Sequence, residues 1–182
     1  MIPLERLAEY SSGIERINIE QSICNKLAIM DAVLGYLQGE MPEARQGEEY
    51  EASEEYDFIL QAKQETAIQA VQDTRGRWQQ ILEQLDAPAA EHLPLLEDDA
   101  QTSNPGETIL QLMLRRELVQ SYRREVAGRL NEIFNGQDMA PVRERLEQIH
   151  AGIRDARLFV ALHMHAGDGN VHTNLPVNSD KD

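Results

Sequence analysis

A single cysteine, Cys24, in a chain of 182 residues rules out an intrachain disulfide. No apolar run is long enough to span a bilayer, and the N-terminus lacks the apolar stretch of a secretory signal. Basic residues are scarce: 17 Lys and Arg stand against 32 Asp and Glu, a formal charge of -15. No local cluster of Lys and Arg reverses that balance, which repels a phosphate backbone, so nucleic acid is excluded as a partner. These absences predict a soluble chain of a reducing compartment, cytoplasmic or peripheral to a membrane as part of a larger protein. The length suits one ordinary domain, or a domain with an elongated appendage, and is enough to bury a core.

Most of what is present has helical spacing. From Gly13 to Gly39 the apolar residues Ile14, Ile17, Ile23, Leu27, Met30, Leu34 and Leu37 form one stripe, with Ser11-Ser12-Gly13 capping it or separating it from Ile2–Tyr10. Residues 38–57 are glutamate-rich with little periodicity and are expected as a solvated connection. A second helix is predicted from Glu54 to Leu85 on the row Ile68, Val71, Trp78, Leu82 and Leu85, weakened in the middle by Gly76. Residues 86–107 are broken by three prolines and a run of acids, which predicts a loop with room for a short helical turn. Asn104 and Pro105 make a helix start for the stripe Ile109, Leu112, Val119, Tyr122, Val126, Leu130 and Ile133, which Gly136 ends. A fourth helix follows Asp138 with Val142, Leu146, Ile149 and Ile153 on one face. The fold class expected is mainly α, an elongated antiparallel helical bundle with a small C-terminal β-hairpin or strand pair.

After Arg157 the pattern changes to two β-prone runs, Leu158–His165 and Asn170–Val177, around Ala166-Gly167-Asp168-Gly169. Three of the five histidines, His163, His165 and His172, lie here. If Gly167-Asp168-Gly169-Asn170 is the hairpin loop, outward counting pairs His165 with His172 and His163 with Asn174. His163, His165, His172 and Asn174 then share one face, with Val160, Leu162, Met164, Val171 and Leu175 on or bordering the other. Two imidazoles converging across a turn can form half of a metal site, and a third ligand has to come from elsewhere. Histidines beside a turn are also often packed or solvated residues, and a Gly-Asp-Gly-Asn run is most often only a turn. His92 and His150 are assigned to structure or solvent. His163-Met164-His165 also resembles the start of the histidine-triad nucleotide hydrolases, but Gly167 stands where that pattern needs its third histidine.

The segment His165-Ala166-Gly167-Asp168-Gly169-Asn170-Val171-His172 resembles the signature of the C-terminal domain of FAD-linked oxidases, the D-lactate dehydrogenase, glycolate oxidase flavin subunit and D-2-hydroxyacid dehydrogenase type. Ile2–Tyr10 resembles the stretch where that domain passes from its first strand into a helix. The resemblance covers the two ends, and it implies three parts: residues 1–39 as the N-terminal helical part of that domain, 40–156 as a helical insertion, and 157–182 as the strand-turn-strand that carries the motif.

By this resemblance, His165 and His172 are metal ligands for zinc or a similar divalent ion, Asn174 helps to hold the substrate, and Gly169 with Asn170 approaches the flavin. His163 has no counterpart, and Met164 stands where the family usually has glycine. The family's third ligand, a glutamate of a Glu-His-Gly motif, is expected beyond Asp182, as is the proton acceptor. The resemblance further implies FAD, bound mainly by another domain, and iron-sulfur clusters elsewhere in the full protein as an onward route for electrons. The expected reaction is oxidation of a D-2-hydroxy acid such as D-lactate by hydride transfer to flavin N5, with the isolated chain inactive. Expected partners are the remaining domains of the same flavoenzyme, the small 2-hydroxy acid and a second copy of the chain. A reading from another class makes the helical part an interaction or oligomerisation module of a multidomain redox protein, since long amphipathic helices suit docking.

Overall fold

A computed structural model of the chain describes residues 7–46, 53–96, 104, 106–155, 161–165 and 170–174, with Leu7, Ala8, Asp155 and the last two stretches described as backbone only. The described residues are mainly helical. Five α-helices run in the order α1 Leu7–Leu37, α2 Glu54–Glu83, α3 Ile109–Leu114, α4 Gly128–Ile133 and α5 Ala140–Asp155, with 3-10 turns at Pro42–Arg45, Ala89–Glu91 and Leu93–Leu95. The chain divides into two compact units, each discontinuous in sequence: one comprises Asn25–Glu83 and Gln120–Asp155, the other Met1–Cys24, Gln84–Val119 and Ala156–Asp182.

The unit of residues 25–83 and 120–155 is an antiparallel helical arrangement, and its side-chain bonds define the directions. Asp31 meets Arg75 and the Leu37 carbonyl meets Gln64, so the end of α1 runs against α2. Lys63 meets the Ile133 carbonyl while Arg77 meets Glu125, so α2 runs against α4 and the turn before it. Tyr122 stacks on His150 and Arg143 holds the Phe134 and Gly136 carbonyls, so α5 returns along α4. Within it, Met30, Val33, Leu37, Val71, Trp78, Ile81, Leu130, Phe134 and Val142 are buried, and their burial is the main favourable contribution to this packing.

In the other unit, residues on either side of the acidic loop meet as a short antiparallel contact. Ala89 N donates to Glu107 O at 2.7 Å and Leu110 N to Leu85 O at 2.8 Å, bridged at Pro88 and Thr108. Arg16 of α1 forms a two-pronged pair with Asp86 at 2.7 and 2.8 Å.

Four expectations need correction. Ser11-Ser12-Gly13 does not interrupt α1, which passes through all three residues; once a helix is nucleated, each further residue adds one bond, and a single glycine costs only about 1 kcal/mol. The connection after α1 is not wholly solvated: its 3-10 turn buries Ala44, and Met41 is buried in a left-handed conformation at φ 46°. The helix expected to begin at Asn104 begins later, at Thr108, which accepts from Gln111 N while Gln111 Oε1 accepts from Thr108 N, a reciprocal cap. The long third helix is also broken. Arg116 adopts φ 60°, Glu117 and Leu118 both donate back to the Leu112 carbonyl, and helix resumes only through a π-helical turn at Arg123–Ala127. Val119, expected in the core, is exposed as a result. Gly136, at φ 95°, lies beyond the end of α4, which stops at Ile133 with Phe134 as its cap.

Candidate functional site

The histidine-bearing backbone forms two antiparallel strands, β1 Ala161–His165 and β2 Asn170–Asn174. Their partners are Ala161 and Asn174, Leu162 and Thr173, His163 and His172, Met164 and Val171, His165 and Asn170. The register differs by two residues from the one expected by counting outward from a loop at 167–170. His172 stands opposite His163 rather than His165, and Asn174 stands opposite Ala161. A slip of two residues preserves which positions share a face, because side chains alternate with a period of two. Positions 161, 163, 165, 170, 172 and 174 therefore still fall on one face. His165 and His172 become diagonal neighbours, about 7 to 8 Å apart between α-carbons. Residues 166–169, Gly169 among them, lie outside the described residues, as do residues 156–160 and 175–182.

Among the residues whose side chains are described, no group of three His, Cys, Asp or Glu could hold a metal ion. His150 instead stacks on Tyr122, with ring centroids 4.7 Å apart and planes 11° from parallel, and its Nδ1 lies 3.4 Å from Glu147 Oε1. His92 joins two 3-10 turns. Burial together with the Glu147 charge pushes the Tyr122 phenol above its ordinary range.

Two carboxylates that the sequence pattern left on the surface are buried. Glu125 sits in the π-helical turn, 6% exposed. One of its oxygens accepts from Trp78 Nε1 at 2.8 Å and from Arg77, and the other accepts from the Ser121 amide at 2.8 Å. Lys26 Nζ lies 5.8 Å from the Trp78 ring centre and donates to the Gln120 carbonyl at 2.6 Å. Gln120 itself is buried, and its side-chain oxygen has no hydrogen-bond partner. The only advance sign of this centre was Trp78, whose indole N–H needs an acceptor when buried.

The second, Glu107, pairs through one oxygen with Arg115, while its other oxygen is buried without a partner. Arg115 also forms a two-pronged pair with Glu117, both contacts at 2.9 Å. An open cleft of about 370 Å³ is lined here by Asn104, Gly106, Glu107, Gln111, Leu114 and Arg115. Two carboxylates neutralise the one arginine lining it, so the cleft offers no excess positive charge to an anionic substrate.

No helix among the described residues is long and apolar enough to cross a membrane. No family model, curated protein or solved structure matches the chain.

Proposed function

We propose that this chain is part of a flavin-dependent oxidoreductase acting on a D-2-hydroxy acid such as D-lactate, and that it contributes part of the metal and substrate site. The reading rests on one observation above all: the segment His165–His172, whose resemblance to FAD-linked oxidases reaches both histidines. One further fact supports it: positions 165, 172 and 174 share a face of the strand pair.

The donor chemistry fits the group. Neutral imidazole nitrogen suits zinc and similar divalent ions, and His165 and His172 would hold such an ion. When bound, the metal supplies Lewis acidity that lowers the pKa of the substrate hydroxyl. Asn174, on the same face, offers an amide to orient the hydroxy acid. By the resemblance, Gly169 and Asn170 are the residues that a flavin ring would approach. FAD itself, and iron-sulfur clusters as electron acceptors, would be held by other domains of the same enzyme.

The test is turnover by the flavoenzyme that contains this chain, followed as D-lactate-dependent reduction of an acceptor dye. His165→Ala and His172→Ala each remove most of the activity while flavin absorbance is retained. Normal turnover in both variants overturns the proposal.

The reading of the helical part as an interaction module is favoured by α2, where Phe58 is 74% exposed and Ile59 46%. Light scattering across a concentration series decides it, since a chain that stays monomeric and captures no other domain of the enzyme has no such role.

A further inference from the structure

We propose that the cleft beside Glu107 binds the ammonium group of a small aliphatic primary amine, with the buried Glu107 carboxylate as its counter-ion and Leu114 against its methylene stem. The site is separate from the strand pair and does not rest on the flavoenzyme reading.

The argument starts from a charge that is only half satisfied. Glu107 is 9% exposed; Arg115 engages one of its oxygens, and the other is buried without a partner. Taking a carboxylate oxygen out of water is costly unless a donor replaces the lost water. Arg115 is already divided between two acids, since its Nε and Nη2 hold Glu117 with both contacts at 2.9 Å. One guanidinium against two carboxylates leaves one negative charge in excess at the cleft. Among the described residues the lysines are Lys26 and Lys63, which donate to the Gln120 and Ile133 carbonyls, so neither supplies the missing donor.

The groups around that oxygen are held in place before any ligand arrives. Ala89 N donates to the Glu107 carbonyl at 2.7 Å, and Glu107 N donates to the Asn104 carbonyl at 3.1 Å. Gln111 is fixed by its reciprocal cap with Thr108. Such preorganisation lowers the cost of binding. At about 370 Å³ the cleft lies at the small end of ligand pockets, which span roughly 300 to 1,000 Å³. The unpartnered oxygen is covered by protein, and a turn about the terminal torsion of Glu107, which is broad and two-fold, would bring it to the cleft.

The lining selects the class of ligand. An anion meets the excess negative charge. A divalent ion finds no group of three His, Cys, Asp or Glu among the described residues. A guanidinium is best met by both oxygens of one carboxylate in a plane, and one oxygen of Glu107 is already on Arg115. An ammonium is a compact charge that needs one carboxylate oxygen and neutral acceptors for its other protons. Asn104 and Gln111 line the same cleft, and Asn104 Oδ1 accepts only a 3.4 Å contact from Gly106 N. Leu114 supplies the apolar surface that a short methylene stem covers.

The experiment titrates the 182-residue chain with n-butylammonium by calorimetry, at about 0.15 M sodium chloride so that attraction to exposed acids is screened. Tetramethylammonium, which has charge but no donor, and 1-butanol, which has the stem but no charge, are the comparison ligands. The variants are Glu107→Gln, Gly106→Phe and a distant control, Asp73→Asn, with helical content verified by far-UV circular dichroism. A β-carbon at Gly106 meets nothing within 4 Å, so Gly106→Phe adds bulk to the cleft without a backbone clash. The expected result is one butylammonium per chain, with affinity weaker by about tenfold or more in Glu107→Gln and Gly106→Phe and unchanged in Asp73→Asn. Absence of saturable binding overturns the proposal, as does equal binding of either comparison ligand or an equal loss in Asp73→Asn. Wild-type affinity in a folded Glu107→Gln also overturns it. Where Glu107→Gln loses helical content, Gly106→Phe decides: a loss of binding upholds the site, and wild-type affinity rejects it. None of these outcomes bears on turnover of the flavoenzyme, which is judged by the His165 and His172 variants.

Discussion

At the scale of single residues, the clearest departure from pattern is Glu125. A glutamate in a helical stretch is usually solvated, because burying its charge is costly unless it is paired and hydrogen-bonded. Here Trp78, Arg77 and the Ser121 amide supply those partners. Glu125→Ala would leave the buried Trp78 N–H without its acceptor and uncouple Arg77, whose side chain is only 24% exposed. The expected cost is about 2 to 3 kcal/mol, with Glu125→Gln costing less because an amide oxygen still accepts; denaturant midpoints measure both. Such an acid cannot be recognised in advance, since its two side-chain partners lie on α2, far away in sequence. A second residue-scale prediction concerns alkaline pH. Burial, then a bond to Glu43, pushes the Tyr36 phenol above its ordinary value, and burial also raises Tyr122. The folded state therefore holds both as neutral phenols. Their contribution is complete below the unfolded phenol value near 10 and is lost as pH rises toward the folded value. Absorbance at the tyrosinate band should show late-ionising components that disappear in Tyr36→Phe and Tyr122→Phe.

At the scale of elements, legibility followed periodicity. The predicted span of α2 ends within two residues of the observed one, because Val71, Trp78 and Leu85 carry a clear stripe and all three are buried. The stretch from Ile109 to Ile133 shows a similar stripe, yet it breaks at Arg116. That break carries no glycine or proline to announce it, and a non-glycine residue in the left-handed region has no signature in composition. Gly136 is the opposite case, a glycine in the positive-φ region within the connection that follows α4. A β-carbon added there would stand 2.5 Å from Asp138 Oδ1 on a backbone at φ 95°. Gly136→Ala is accordingly expected to lower stability by about 1 to 2 kcal/mol, read from thermal or denaturant unfolding. In the candidate site, the expectation of a common face rests on alternation, which is a local property of the sequence. The partner across the ladder was not legible, because sliding a four-residue loop by one position moves every pairing by two.

At the scale of the molecule, charge dominates. A net charge of -15 strains a compact state by self-repulsion, which salt screens. Raising ionic strength from about 0.01 to about 0.15 M shortens the Debye length from about 30 to about 8 Å and should raise the melting temperature of the chain. A melting temperature that falls under the same change would mean that the attractive pairs, such as Asp31 with Arg75 and Arg16 with Asp86, outweigh the repulsion. The division into units carries a practical corollary. The boundaries fall at 24/25, 83/84, 119/120 and 155/156, so the backbone threads from one body to the other four times. Neither body can be excised as one uninterrupted fragment. A protease that nicks the chain once cannot free either of them whole, and a deletion from one end that reaches far enough to remove one body necessarily takes residues from the other.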